Sequence, residues 1–231
     1  MSVPQLKPGM MQITEMFAVP FGFAKFPNCG ALNEELRRLF IARESEGQAY
    51  ANPRPFTQRN RQVFESRFDL FRWPDECVQR LKDFCWAHLT GFVGELNGYD
   101  AALRERLLIY SDAWFHVTRR GGFFGAHNHP MAAWSGVYCV NPGRNDADKP
   151  DSGLLSFLNP FLASAMYVDV SNTKLRAPFA PHIRHVKMEP GQLVLFPSWV
   201  LHDVKPFEGE GERVTVAFNC WFSLEGADQG P

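Results

Sequence analysis

From residue 112 onward the chain is a series of short β-rich runs set apart by turn residues, and that punctuation limits the possible folds more than any other feature. The runs are "AWFHVTR", "WSGVYCV", "GLLSFLN", "IRHVKM", "QLVLFPS" and "RVTVAFNCWF". Between them stand "RRGG", "NPGRNDADKPDSG", "EPG" and "FEGEGE". β-Branched and aromatic residues suit a pleated, half-buried surface, whereas Gly, Pro, Asn and Asp supply turns. Short strands interrupted this often predict an antiparallel sandwich or barrel.

Residues 1–111 have a different texture, mainly helical. "GALNEELRRLFIARE" places Leu36, Leu39 and Phe40 at helical spacing, with Asn33 as a plausible cap. "PDECVQRLKDFCWAHLTGFVGEL" opens on Pro74 and Asp75, and Val78, Leu81, Cys85, Leu89, Phe92 and Leu96 form one apolar stripe. A shorter helix is predicted over 101–108. The expected organisation is a helical support region over 1–111 packed on a β core over 112–231. At 231 residues the two fit within one compact domain. The segment "NPRPFTQRNRQVFESRFDLFR" carries five arginines and reads as a solvated loop or as part of a substrate mouth. The stretch 161–181 is long and irregular, as lids and binding loops often are.

Composition narrows the function. Lys and Arg number 24 against 25 Asp and Glu, a net charge of −1. Such a balance leaves no electrostatic footprint for nucleic acid or an anionic membrane surface. No apolar run approaches a membrane span, and the N-terminus lacks the pattern of a secretory signal, so a cytoplasmic location is expected. The five cysteines are odd in number and contain no CxxC pair. A disulfide framework or structural zinc site is therefore not expected. Cys77 and Cys85 fall in the helical stripe as small core residues.

The candidate chemistry lies in "GAHNHPMAAWSGVYCV". Residues two apart on a strand point to the same face, so His127 and His129 can converge on one ion while Asn128 faces away. His202, in "FPSWVLHDV", offers a third imidazole from another strand. On the histidines alone the pair reads equally as ordinary polar residues at a strand end. Downstream, Arg213 begins a strongly apolar strand. A buried guanidinium there would require an anion, and Thr215 shares its face. The alternative keeps Arg213 at the exposed strand start beside Glu210 or Glu212. His182 and His185 read as loop and strand-surface residues.

Together, "HNHPMAAWSGVYCV", "SGLLSFLNP", "EPGQLVLFPSWVLHDV" and "GERVTVAFNCWF" resemble, in order and spacing over 112–222, the Fe(II)- and 2-oxoglutarate-dependent oxygenases. The resemblance is closest to a group of bacterial and phage members without assigned substrates. It implies a mainly β protein with N-terminal helices and a double-stranded β-helix, or jelly-roll, core. It also implies Fe(II) as metal, 2-oxoglutarate as cosubstrate, and oxidation of a substrate with release of succinate and carbon dioxide. Carried over, His127 is the first metal ligand and His202 the distal one. Arg213 pairs with the far carboxylate of 2-oxoglutarate, assisted by Thr215. Two departures stand out. The middle ligand of the family is usually a carboxylate, and His129 occupies that position here. Relatives often place Tyr where this chain has Cys139, and Cys is a poor hydrogen-bonding replacement. Ser135 shares that face and is a possible substitute. His116, on the preceding strand, is a further candidate cosubstrate neighbour.

The implied partner is a small-molecule or peptide substrate, with a homodimer as a possible assembly. Two other classes fit parts of the sequence. A metal cupin would use His127 and His129 with a distal His and ignore 2-oxoglutarate, leaving Arg213 without a role. A non-catalytic β-sandwich module would line a sugar or peptide site with the histidines and hold no metal.

Overall fold

The computed structural model describes residues 9, 11, 13, 15, 17–145, 148–163, 167 and 169–226. It is mainly β: two antiparallel sheets, with three α-helices among the described residues. The helices are α1 (Gly30–Ser45), α2 (Glu76–Asn97) and α3 (Ala101–Glu105). The strands are β1 (Gly22–Lys25), β2 (Val63–Glu65), β3 (Leu107–Thr118), β4 (Phe124–His127), β5 (Trp134–Asn141), β6 (Leu155–Phe157), β7 (Arg184–Val186), β8 (Gln192–Pro197), β9 (His202–Val204) and β10 (Arg213–Leu224). The larger sheet runs β1-β8-β5-β10-β3-β2, and the smaller runs β4-β9-β6-β7. Both edge strands of the larger sheet, β1 and β2, come from the N-terminal region, so that region is woven into the core.

Strand alternation sorts the larger sheet's side chains into two environments. Phe115 and Val117 of β3, Val214 and Val216 of β10, Tyr138 of β5 and Leu193 of β8 face α1 and α2 in the larger core. Leu36 and Phe40 of α1 and Leu81, Cys85 and Leu89 of α2 fill it from the other side. Cys139, Val194 and Phe196 point the opposite way, toward Leu155 and Phe157 of the smaller sheet. The molecule thus has three layers: helices, larger sheet, smaller sheet. Among the described residues no helix is long and apolar enough to cross a membrane.

Several local expectations shift. α1 starts at Gly30, with Cys29 at its N-cap position. Asn33 lies inside the helix, buried, where its Oδ1 accepts a 2.7 Å bond from the Tyr138 hydroxyl. A buried phenol needs that partner, which explains an Asn on the core face. The α2 stripe is buried through Val93, but Leu96 is exposed near the helix end. Gly98 closes α2 in the left-handed conformation. The helix predicted over 101–108 stops at Glu105, because Leu107 and Leu108 already pair with Leu224 and Ser223. The arginine-rich segment is not wholly a solvated loop: it contains β2, and Arg59 is mostly buried against Glu65. In 161–181 residues 169–181 are turns without strand or helix; residues 164–166 and 168 lie outside the described residues. All five cysteines are free.

Phe40 joins the helical layer to the sheet by stacking on Phe115, ring centroids 4.3 Å apart and planes within 4°. Replacing Phe40 with Ala removes that contact from a fully buried position. The expected loss is about 3–5 kcal/mol of unfolding free energy, read as a lower urea midpoint with unchanged m-value.

Candidate metal and anion site

β4 and β9 lie side by side in the smaller sheet, and His127 pairs directly with His202. β4 ends at His127. His129 therefore reaches the same point from the turn beyond the strand, where its N–H donates to the Ser198 carbonyl at 2.8 Å. One ligand atom from each of His127, His129 and His202 lies within 4.8 Å of the others. The convergence expected from the spacing is present. Strand alternation is not its full cause, and Asn128 does not face away. Asn128 lines the same pocket and donates from Nδ2 to the Trp199 carbonyl at 3.2 Å.

The imidazoles suit a metal chemically. Burial disfavours the charged form of each; proximity to its neighbours adds to this, holding His129 at about 4 and His202 at about 3, with His127 also lowered. All three are neutral at pH 7, the form that ligates. His127 Nδ1 sits 2.8 Å from the Gly125 carbonyl, and His202 Nδ1 sits 3.0 Å from the Val200 carbonyl. A carbonyl only accepts, so both rings carry their proton on Nδ1 and leave Nε2 free for an ion.

The opposite wall of the pocket belongs to the larger sheet. Arg213, Thr215, Ala217 and Asn219 of β10 line it, with Trp114 and His116 of β3 and Glu65 of β2. Pairing sets these residues side by side: Thr215 opposite His116, and His116 opposite Glu65. Arg213 is only 3% exposed. Burial opposes its charge, and no carboxylate pairs with it among the described residues. The exposed strand-start alternative is thereby excluded: Glu212 instead binds Arg37 of α1 at 2.9 Å.

Glu65 is the other buried charge of this wall. Its Oε1 accepts from Asn52 at 2.6 Å and from Arg59 at 2.9 Å. Oε2 lies 3.3 Å from His116 Nε2, while the Trp114 indole N–H donates to that same nitrogen at 2.9 Å. Burial of Glu65 works against ionisation, but His116, Asn52 and Arg59 outweigh it and hold the carboxyl at about 2. Burial also drives His116 toward neutrality despite the pull of Glu65. His116, Asn52 and Arg59 together keep Glu65 charged at neutral pH.

Two expected cosubstrate contacts change. Cys139 is fully buried in the smaller core and does not line the pocket; burial pushes its thiol up to about 12. Ser135 does line the pocket, but it bonds to Ser198 Oγ at 2.8 Å and donates to Asn219 Oδ1 at 2.7 Å. Its hydroxyl is already committed within the protein. Glu65, Trp114 and Asn219 were not anticipated. Trp114 and Asn219 could have been found by extending the two-residue alternation from His116 and Thr215. Glu65 sits on a three-residue strand with no period to detect. His182 lies apart from the three-histidine site, and His185 bonds Ser156 on the other face of β6.

Residues 112–219, a little under half of the chain, match the family model described as "Putative 2OG-Fe(II) oxygenase", so this stretch is similar to that family. No curated protein matches the chain by sequence. Among solved structures, a Pseudomonas putida prolyl-4-hydroxylase is similar, with 18% identity, TM-score 0.54, 90% of this chain and 94% of that one covered. HygX from Streptomyces hygroscopicus, solved with nickel and 2-oxoglutarate bound, aligns at 13% identity and TM-score 0.54, covering 87% and 82%. A prolyl hydroxylase from Trichoplax adhaerens, in complex with a hypoxia inducible factor peptide fragment, aligns at 14% identity and TM-score 0.52, covering 89% and 84%. These likenesses establish the fold.

Glu65 gives the site a pH signature. Its folded carboxyl lies at about 2, against roughly 4.3 in an unfolded chain. The resulting stability is fully present above the unfolded value and fades as pH falls through the folded one. Glu65→Gln is expected to lower unfolding free energy at pH 7 by on the order of 2 kcal/mol. Urea titrations of both proteins should show that gap closing below about pH 4. A gap of constant size would show that the charge of Glu65 is not what stabilises the fold.

Proposed function

We propose that this chain is an Fe(II)- and 2-oxoglutarate-dependent oxygenase acting on a small-molecule or peptide substrate. The observation that carries the reading is Arg213, a buried guanidinium with no carboxylate partner among the described residues, on the pocket wall across from three convergent neutral imidazoles. A buried cation of that kind is costly unless an anion completes it. A ligand with a carboxylate at one end and metal-chelating oxygens at the other meets both requirements.

In this reading the two sheets are the faces of a double-stranded β-helix, the unit 112–231 is the catalytic core, and 1–111 supports it. His127, His129 and His202 would hold Fe(II). The ion and 2-oxoglutarate together supply oxidative chemistry, with succinate and carbon dioxide released. Arg213 would fork onto the far carboxylate, a pairing suited to its planar geometry. Thr215, two residues along on the same face, adds a hydroxyl to that carboxylate. His116 stands opposite Thr215, with Nε2 accepting from Trp114. Phe124, Leu155, Phe196 and Val204 supply apolar lining that excludes water from the reacting end. HygX bound to 2-oxoglutarate and the Trichoplax enzyme bound to a peptide support this cosubstrate and these substrate classes. The cupin alternative gives the buried Arg213 nothing to bind.

Anaerobic addition of Fe(II) and then 2-oxoglutarate should produce the visible charge-transfer band of a chelated 2-oxo acid. Arg213→Ala should weaken 2-oxoglutarate binding about 10- to 100-fold, the loss expected for ~1.5–3 kcal/mol of charge-assisted bonding. Iron binding without any band would reject 2-oxoglutarate as cosubstrate. An unchanged affinity in the variant would reject Arg213 as its anchor.

A further inference from the structure

The three imidazoles are not held alike. His127 lies on β4 and His202 on β9, and each ring is locked by an Nδ1–H bond to a main-chain carbonyl two residues earlier, Gly125 and Val200. Their ring centroids are 4.2 Å apart. His129 stands beyond the end of β4. Its main chain is fixed, by the bond to Ser198 and by a turn in which Ala132 N–H donates to its carbonyl. Its ring is not. No group among the described residues hydrogen-bonds either ring nitrogen, and its aromatic neighbours outside the triad reduce to Trp114, edge-on at 6.0 Å. The ring also lies farther from its partners, 5.1 Å from His127 and 5.3 Å from His202.

An outer-shell hydrogen bond sets a ligand's tautomer and orientation, and its loss typically weakens a metal site 10- to 100-fold. A ring without one carries no such constraint and can change rotamer with little resistance. It also carries no negative charge to hold it on a cation, as a carboxylate at this position would. Resting on the metal reading above, we propose that His127 and His202 are the fixed anchor of the ion and that His129 is a detachable third ligand. Its departure gives the ion one more exchangeable position without moving either sheet, at the side of the pocket that Trp114 and Asn128 border.

The test uses Co(II) as the probe ion on the full chain. Dissociation constants from chelator competition are compared for wild type, His127→Ala, His129→Ala and His202→Ala. The expected result is a loss under about 10-fold for His129→Ala and above about 100-fold for each of the others. Losses equal within a few-fold, or largest at His129, would overturn the detachable role while leaving the metal site intact. No Co(II) binding by wild type would overturn the metal reading as well.

A second measurement needs no variant. Proton NMR of the Co(II)-loaded wild type in water should show two paramagnetically shifted, slowly exchanging imidazole N–H resonances, from His127 and His202. The His129 N–H should be lost to rapid exchange with solvent. Three equally protected resonances would overturn the proposal.

Discussion

Twelve consecutive residues of β10 pair with β3, from Arg213 opposite Thr118 to Leu224 opposite Leu107. Both surfaces of the molecule's middle layer depend on that register. On one face the pair carries Phe115, Val117, Val214 and Val216 against the helices. On the other it sets Arg213, Thr215 and His116 against the histidines of the smaller sheet. A slip of one residue would exchange the two sets, sending the guanidinium into a hydrocarbon core and the valines into the pocket. The apolar face therefore fixes the polar one. Helices α1 and α2 act on the site through this exchange of faces, while Phe56, Thr57, Glu65 and Phe68 line the pocket directly.

The pocket holds two buried charges, and the protein treats them differently. Glu65 is surrounded by donors from its own region, Asn52 and Arg59. Among the described residues no carboxylate pairs with Arg213. Two opposite charges on one wall could have neutralised each other directly. They do not, because His116 stands between them in the register: Glu65 pairs with His116, and His116 with Thr215. Glu65 is thus satisfied within the protein, by Asn52 and Arg59, and Arg213 is not. Under the function proposed above, the cost of burying that cation would be part of the driving force for binding an acid.

The parts of this arrangement legible in the sequence were those with a period or a chemical oddity. The α2 stripe, the alternation in β5 and β10, and an arginine opening an apolar strand all have such signals. The short elements did not. β1, β2 and β9 are four, three and three residues long, too short for alternation to register. Asn33 misled for a different reason. Its type suits a helix cap, but a tertiary demand, the buried Tyr138 hydroxyl, placed it on the core face. Cys139 has the parity of a pocket residue, yet it is buried in the smaller core with Leu155 and Val194. Alternation gives a side chain's direction; only packing gives the depth at which it ends.

The same distinction separates the three histidines. The carbonyls that orient His127 and His202 belong to the main chain at residues 125 and 200. They are main-chain groups, so these locks follow from the path of the backbone rather than from a partner side chain. The orientation of His129 rests on side chains alone, chiefly the edge of Trp114. Trp114 is in turn held by its donation to His116 and by Phe68, tilted against it with ring centroids 4.4 Å apart. The least constrained imidazole is thus the one that meets, through Trp114, the wall that carries Arg213.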